Sequence, residues 1–314
     1  MNLFFIIFLL FYFVLAVGGL WNDSRPKLLH LIIKMNISGY VARFIVILTS
    51  LLFIAQSTNA IAPSNKMATF FGETKAAGTT VQISFDKENT TPKYALGYWS
   101  IRGLGAPLTM MLCAAKVPFT LFLFDIVEKM EGEDGWTSDY FAAKPEYIKE
   151  HGAPMWNLPF CVDRENEFIV CQTNAVFSHF GRACGMFGSC PKTTSQCEQL
   201  LCEIYDLRNI MVGFAYGSPD TEPASVLTQA KKPFQKLEAW LELQAKALEG
   251  SGGDNKKVKV QVTHLVGGKF SAPDFHLYEM LDQFVEFSKH YELEDLLDDY
   301  PRLKDFFEGF AALE

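Results

Sequence analysis

The stretch YALGYWSIRGLGAPLTMMLCAAKVPFTLFLFDI, from Tyr94 to Ile126, decides the fold. It opens on a short apolar and aromatic run, Tyr94–Trp99, which reads as a strand. After Arg102-Gly103, apolar residues fall at Leu108, Met111, Leu112 and Ala115, which is helical spacing. Pro107 stands in an early turn of that helix, where a missing N–H costs little. Phe119–Ile126 is a second strand.

Downstream, residues 128–157 read as irregular, with Gly132, Gly135, Pro145, Gly152 and Pro154. Leu158–Val162 and Phe168–Cys171 are two further short strands, divided by the polar turn Asp163–Glu167. Ala175, Val176, His179, Phe180 and Ala183 then line one face of a helix. The order β-α-β-(irregular)-β-β-α predicts an α/β layer with a mixed sheet, over residues 93–188.

Beyond Pro191 strand signals nearly vanish. Helical periodicity recurs at Phe234, Leu237, Leu241, Ala245 and Leu248, at Leu277, Met280, Leu281, Phe284 and Phe287, and at Leu303, Phe306, Phe307 and Phe310. Residues 193–314 therefore read as an all-helical domain. Gly250-Ser251-Gly252-Gly253 and the lysines that follow read as a flexible, solvated insertion. Ser271-Ala272-Pro273-Asp274 predicts a capping box with Asp in place of Glu, on the order of 1 kcal/mol in value.

Upstream lie two apolar runs. Leu3–Leu20 is free of charge and matches the ~18 residues of a membrane-span candidate. Phe44–Ala55 follows Arg43 and precedes the small residues Thr58-Asn59-Ala60, the pattern of a signal peptide. Ala60-Ile61-Ala62-Pro63 resembles the cleavage motif of bipartite presequences in algae with secondary plastids, with Ile61 where an aromatic residue is usual. The hydroxyl-rich stretch after it, poor in acids, suits a transit peptide. Residues 1–60 are thus expected to be a targeting segment and 61–92 a transit-like linker. Import into a plastid is the first reading of location, with no stable membrane association after processing. A start at Met67 with a cytoplasmic product, or a secretory or anchored product, stays open.

Charge and cysteine narrow the function. The chain carries 28 basic and 36 acidic side chains, a net −8. Residues 1–92 hold seven of the basic and four of the acidic ones, which leaves 21 against 32, or −11, downstream. So acidic a body is a poor partner for nucleic acid. All seven cysteines lie downstream of residue 92, with no C-x-x-C and no repeating spacing. That pattern points to neither a disulfide framework nor a metal site, and suits a reducing compartment.

Five strings carry a family resemblance. GYWSIRG (Gly97–Gly103) resembles the first-strand signature of the mu class of glutathione transferases and its relatives. Met155–Phe160 resembles the Asn-Leu-Pro segment of that family, and Gln172–Val176 its Gln-Ser-Asn-Ala-Ile segment. Gly267–Phe275 resembles its buried helix with the cap, and Pro301–Phe306 its last helix. The chain is therefore identified as similar to the glutathione S-transferase family, mu-like class. That implies an α/β thioredoxin-like N-terminal domain followed by an all-α C-terminal helical domain. It also implies glutathione as co-substrate, a role in detoxification, a hydrophobic small-molecule electrophile as the second substrate, and a homodimer.

The resemblance places the catalytic tyrosine on Tyr98, at the open end of the α/β layer where ligands bind. Its phenol would donate to the glutathione sulfur. Lowering a thiol pKa by two units takes about 2.7 kcal/mol of preference for the thiolate. Ser100 is the rival, since other classes use a nearby serine. Leu158-Pro159 looks like the family's cis-proline, whose preceding backbone pairs with the cysteinyl part of the tripeptide. Gln172 and Thr173, at a helix start, would hold the γ-glutamyl carboxylate on backbone N–H groups; a plain N-cap is the structural alternative for Thr173. Trp99 would pack under the tripeptide or in the core. Trp136 and Asn157 match family positions, but the stretch between them is longer here, so Lys144 and Lys149 both stand as candidates for the glycyl carboxylate. Asp206 aligns with the aspartate that reaches the partner subunit's glutathione. Relatives continue past Ala312-Leu313-Glu314 into a tail over the electrophile pocket, which implies a more open pocket here. A glutathione-dependent isomerase or peroxidase, and a non-catalytic ligand-binding protein, are the rival functions. A thiol oxidoreductase is disfavoured, because Tyr98-Trp99-Ser100 stands where its cysteine pair would be.

Overall fold

A computed structural model describes residues 79–85, 92–129, 135–249 and 264–312. The apolar leader, the Ala60–Pro63 motif and the Gly250–Gly253 insertion lie outside the described residues. Among the described residues no helix is long and apolar enough to cross a membrane.

The first part is a five-stranded mixed sheet in the order β1-β3-β2-β6-β7. Strand β1 is Thr79–Ile83, β2 Tyr94–Trp99 and β3 Phe119–Phe124. Strands β6 (Phe160–Asp163) and β7 (Phe168–Cys171) complete it. β2 and β3 run parallel, joined by α1 (Gly105–Ala114), and the other pairs are antiparallel. Side chains alternate along β2 as a pleated strand requires. Tyr94 and Leu96 enter the core shared with α1 and the helical region, while Ala95 and Trp99 face a second cluster around Tyr140, Trp156 and Phe160. Gly97 is required here, since a Cβ would run into the Phe160 ring.

Two expectations are corrected. The stretch 61–92, read as a linker, contains β1, which pairs with β3 from Thr79↔Leu123 to Ile83↔Phe119. Its hydroxyl-rich composition hid a period of two: Ile83 is buried and Val81 packs on the core. Residues 128–157, read as irregular, hold a short pair, β4 (Val127–Glu128) with β5 (Trp136–Thr137), and a helix, α2 (Asp139–His151). α2 tolerates Pro145 because both ends are set. The Ser138 hydroxyl accepts from the Tyr140 N–H at 3.3 Å, and Gly152 closes the helix at φ +60°. Strand edges also shift: β3 ends at Phe124 and β6 starts at Phe160.

After α3 (Thr173–Ala183) the described chain is helical: α4 (Pro191–Ala215), α5 (Pro223–Glu249), α6 (Ala272–His290), a 3-10 turn (Leu296–Asp299) and α7 (Pro301–Ala311). α6 is buried along most of its length and packs against α1, α3, α4 and α7. It therefore joins the sheet part to the helical part. Its predicted capping box is present. Asp274 Oδ2 accepts from the Ser271 N–H and hydroxyl, both at 2.7 Å, and Oδ1 accepts from the Leu265 N–H at 2.6 Å.

Candidate active site

Strand register assembles the site. Gly97 of β2 faces Phe160, and Phe160 faces Cys171 of β7. The C-terminal end of β2, the start of β6 and the end of β7 thus lie at one edge of the sheet. That brings Tyr98-Trp99, Leu158-Pro159 and Gln172-Thr173 together, although the sequence separates them widely.

Tyr98 is buried at the end of β2. Its ring lies on the turn Gly103–Gly105: a Cβ at Gly103 would stand 2.7 Å from the hydroxyl oxygen, and one at Gly105 2.6 Å from ring Cδ1. Burial pushes the phenol's pKa up, while the Leu104 N–H and the Arg208 guanidinium favour its ionised form. A phenol held above its ordinary range stays protonated at neutral pH and can donate. Trp99 meets Tyr140 edge-on, ring centroids 5.1 Å apart, and lies 5.6 Å from Phe141.

The Leu158–Pro159 peptide is cis. The Asn157 N–H donates to the Cys171 thiol, which ties the loop before β6 to the end of β7. The N-cap of α3 is Gln172, with φ +77° and ψ +127°, a conformation costing about 1–3 kcal/mol for a residue other than glycine. Thr173, buried, is the first residue of the helix, so the plain N-cap reading does not hold for it. Gln172 makes no side-chain cap bond, and the first-turn N–H groups of α3 point out of the helix end, a setting suited to an anion.

The two lysines separate. Lys144 lies 5.9 Å over the Tyr140 ring, and its charge pulls down the Cys171 thiol, so it sits within electrostatic reach of the Cys171–Gln172 corner. Lys149 is exposed in the last turn of α2. Trp136 is 63 % exposed on β5 and makes no ring contact with the group around Trp99. Ser100 is exposed, its N–H donating to the Phe124 carbonyl at 2.9 Å. Asp206 is exposed on α4, one turn beyond Cys202, whose sulfur accepts from Asn174 of α3 at 3.7 Å.

Two groups beside Tyr98 escaped the reading of the sequence: Arg208 and Tyr216, both on or ending α4. Their one signal was position, two and ten residues beyond Asp206 on a helix already tied to the site.

The profile of the glutathione S-transferase C-terminal domain matches residues 205–314. A class-mu 26 kDa glutathione S-transferase of Schistosoma mansoni is 25 % identical over 224 residues, 68 % of this chain and 87 % of its own length. Glutathione S-transferase Mu 5 of Rattus norvegicus is 28 % identical over 220 residues, 70 % of this chain and 84 % of its own. Among solved structures, a pi-class glutathione S-transferase of Onchocerca volvulus matches with a TM-score of 0.51 at 21 % identity, covering 70 % of this chain and 88 % of that one. A glutathione S-transferase of Necator americanus described as monomeric matches with 0.51 at 18 %, covering 70 % and 91 %. The solved structures share the fold, a thioredoxin-like layer followed by helices. The C-terminal part of the chain thus matches the glutathione S-transferase C-terminal domain, and the chain as a whole is similar to mu-class glutathione S-transferases.

Proposed function

We propose that the chain joins the glutathione thiolate to hydrophobic electrophiles, with Tyr98 as the activating residue. The observation that carries this reading is the setting of the Tyr98 hydroxyl. It is buried, raised in pKa, seated on the Gly103 turn and faced by the Leu104 N–H and Arg208.

In this reading the cysteinyl backbone of glutathione pairs with the chain at Leu158, before Pro159 and just ahead of β6. The γ-glutamyl carboxylate lies on the N–H groups at Gln172 and Thr173, and the helix dipole favours it there. Lys144 takes the glycyl carboxylate in preference to Lys149. Trp99 lies beneath the tripeptide, with Asn157 beside it; Trp136 has the weakest support. The thiol then meets the Tyr98 hydroxyl. A hydrogen bond to a charged sulfur is worth about 1.5–3 kcal/mol, and the Arg208 cation adds to the preference for thiolate. The thiolate attacks the electrophile's carbon, its leaving group departs, and the thiol proton passes to solvent. A homodimer is part of the proposal, with the exposed Asp206 directed to the partner's glutathione; sedimentation in solution distinguishes it from a monomer.

The test is conjugation of glutathione to an aryl halide by the full chain and by Tyr98→Phe. The variant is expected to lose about ten- to a hundredfold in kcat/KM, with its pH profile displaced upward. A variant as active as the parent would assign Tyr98 to packing and move the search to Ser100.

A further inference from the structure

A charged cluster beneath the Tyr98 turn has no part in the chemistry above. Helix α6 carries Glu279 and Asp282 at i and i+3, on one face. Both carboxylates reach one guanidinium, that of Arg102: its Nη2 lies 2.8 Å from Glu279 Oε2 and 2.6 Å from Asp282 Oδ2. The Glu279 side chain is 1 % exposed, and its other oxygen accepts from Gln283 Nε2 at 2.9 Å. Burial pushes the Glu279 carboxyl up and Arg102 draws it back, so the acid depends on its partner. The main chain of Arg102 has a second task. Its carbonyl accepts from the Gly105 and Ala106 N–H groups at 3.0 and 2.9 Å, which starts α1. The next two residues, Gly103 and Leu104, are the floor under the Tyr98 hydroxyl. Arg102 is thus fixed by its side chain to α6 and by its backbone to the turn that seats Tyr98.

We propose that Glu279, with Asp282, acts through Arg102 as a positioning residue, holding the Arg102–Leu104 turn so that the Leu104 N–H stays on the Tyr98 hydroxyl and that hydroxyl stays aimed at the glutathione sulfur. The inference rests on Tyr98 as the activating group. A hydroxyl polarised by an N–H is a stronger donor in its turn, and a small misplacement of a donor weakens its effect on the reacting atom. Arg208 and Tyr216 face Tyr98 from α4, while Arg102, Glu279 and Asp282 act from α1's start and from α6. Since both carboxylates are taken up by Arg102, their loss alters thiol ionisation rather than glutathione affinity.

The test compares Glu279→Gln, Arg102→Lys and Tyr98→Phe with the parent, all as full chains. The readings are the pH profile of kcat/KM with an aryl halide, the ultraviolet absorbance of bound thiolate, and glutathione affinity. Glu279→Gln is expected to bind glutathione within about twofold of the parent, while the bound thiol's apparent pKa rises by about half a unit or more, a loss of about threefold in thiolate near neutral pH. Arg102→Lys, which keeps the charge but on a shorter stem than the one that sets Nη2 between the two carboxylates, is expected to move the same way. If Glu279→Gln does not fold, the double variant Arg102→Met/Glu279→Met carries the measurement, because an apolar pair can replace a buried ion pair. A folded variant with a lower Tm and the parent's pH profile overturns the inference and leaves the cluster structural. An impaired Tyr98→Phe beside an unchanged Glu279→Gln overturns this inference alone; an unimpaired Tyr98→Phe overturns the reading beneath it as well.

Discussion

At Gly103 the backbone takes φ +38°, and a Cβ there would stand 2.7 Å from the Tyr98 hydroxyl oxygen and 3.0 Å from ring Cε1. A side chain would meet both a backbone strain of about 1 kcal/mol or more and the atom we propose as the donor to the sulfur. Gly103→Ala is therefore expected to lower kcat/KM about tenfold or more while glutathione still binds. Steady-state kinetics beside glutathione titration checks this, and a variant with the parent's kcat/KM would detach the turn from the chemistry. The same local logic explains which residues of the candidate site could be named from the sequence. Tyr98, Trp99, Pro159, Gln172 and Thr173 each stand at the end of a strand or the start of a helix, in a short string whose neighbours fix their place. Arg208, Tyr216 and the difference between Lys144 and Lys149 depend on where α4 and α2 lie against the sheet, and no neighbour in the chain encodes that.

Elements were legible where one local signal governs them. The box at the start of α6 needed only Ser271 and Asp274 at the right spacing, and it is present. The strand β1 and the helix α2 were missed because hydroxyls in one case and Gly and Pro in the other mask the pattern, while pairing with β3 and a cap at each end decide the outcome. The α6 box also carries a pH dependence. Burial pushes the Asp274 carboxyl up to about 7, against the pull of its three donors. A carboxyl whose folded pKa lies above its unfolded one holds its proton more tightly in the fold. On its account stability is fullest below the ordinary aspartate range and drains away as pH rises through about 7. Asp274→Asn is expected to flatten that decline and to lower stability by about 1–3 kcal/mol at acidic pH, because an amide offers one acceptor oxygen where Asp274 uses two, with the deficit shrinking as pH rises through about 7. Urea unfolding at acidic, neutral and alkaline pH reads both effects; a decline of equal steepness in the variant would assign the dependence to other groups.

At the scale of the molecule, the division into a sheet part and a helical part was legible, because the hydrophobic period changes from mixed to helical near Pro191. Where the folded body begins was not. Composition set the start at residue 93, yet the sheet extends to β1, and that strand covers the edge of β3. The edge in question is Phe119–Phe124, FTLFLF, uncharged and rich in aromatic side chains. A bared strand of that kind is a template for pairing with other chains. Removing β1 also takes Ile83, 3 % exposed, out of the core against which Val81 packs, a loss of about 1.5–3 kcal/mol for one fully buried aliphatic side chain. A chain beginning at Gly78 is therefore expected to stay monodisperse and to melt as one unit, whereas a chain beginning at Lys93 melts several degrees lower and aggregates. Size-exclusion chromatography and thermal unfolding of the two settle the matter. Equal Tm and equal dispersity would make β1 an accessory to the sheet, and would return the boundary to residue 93; the expected difference would place the start of the folded body at or before Thr79.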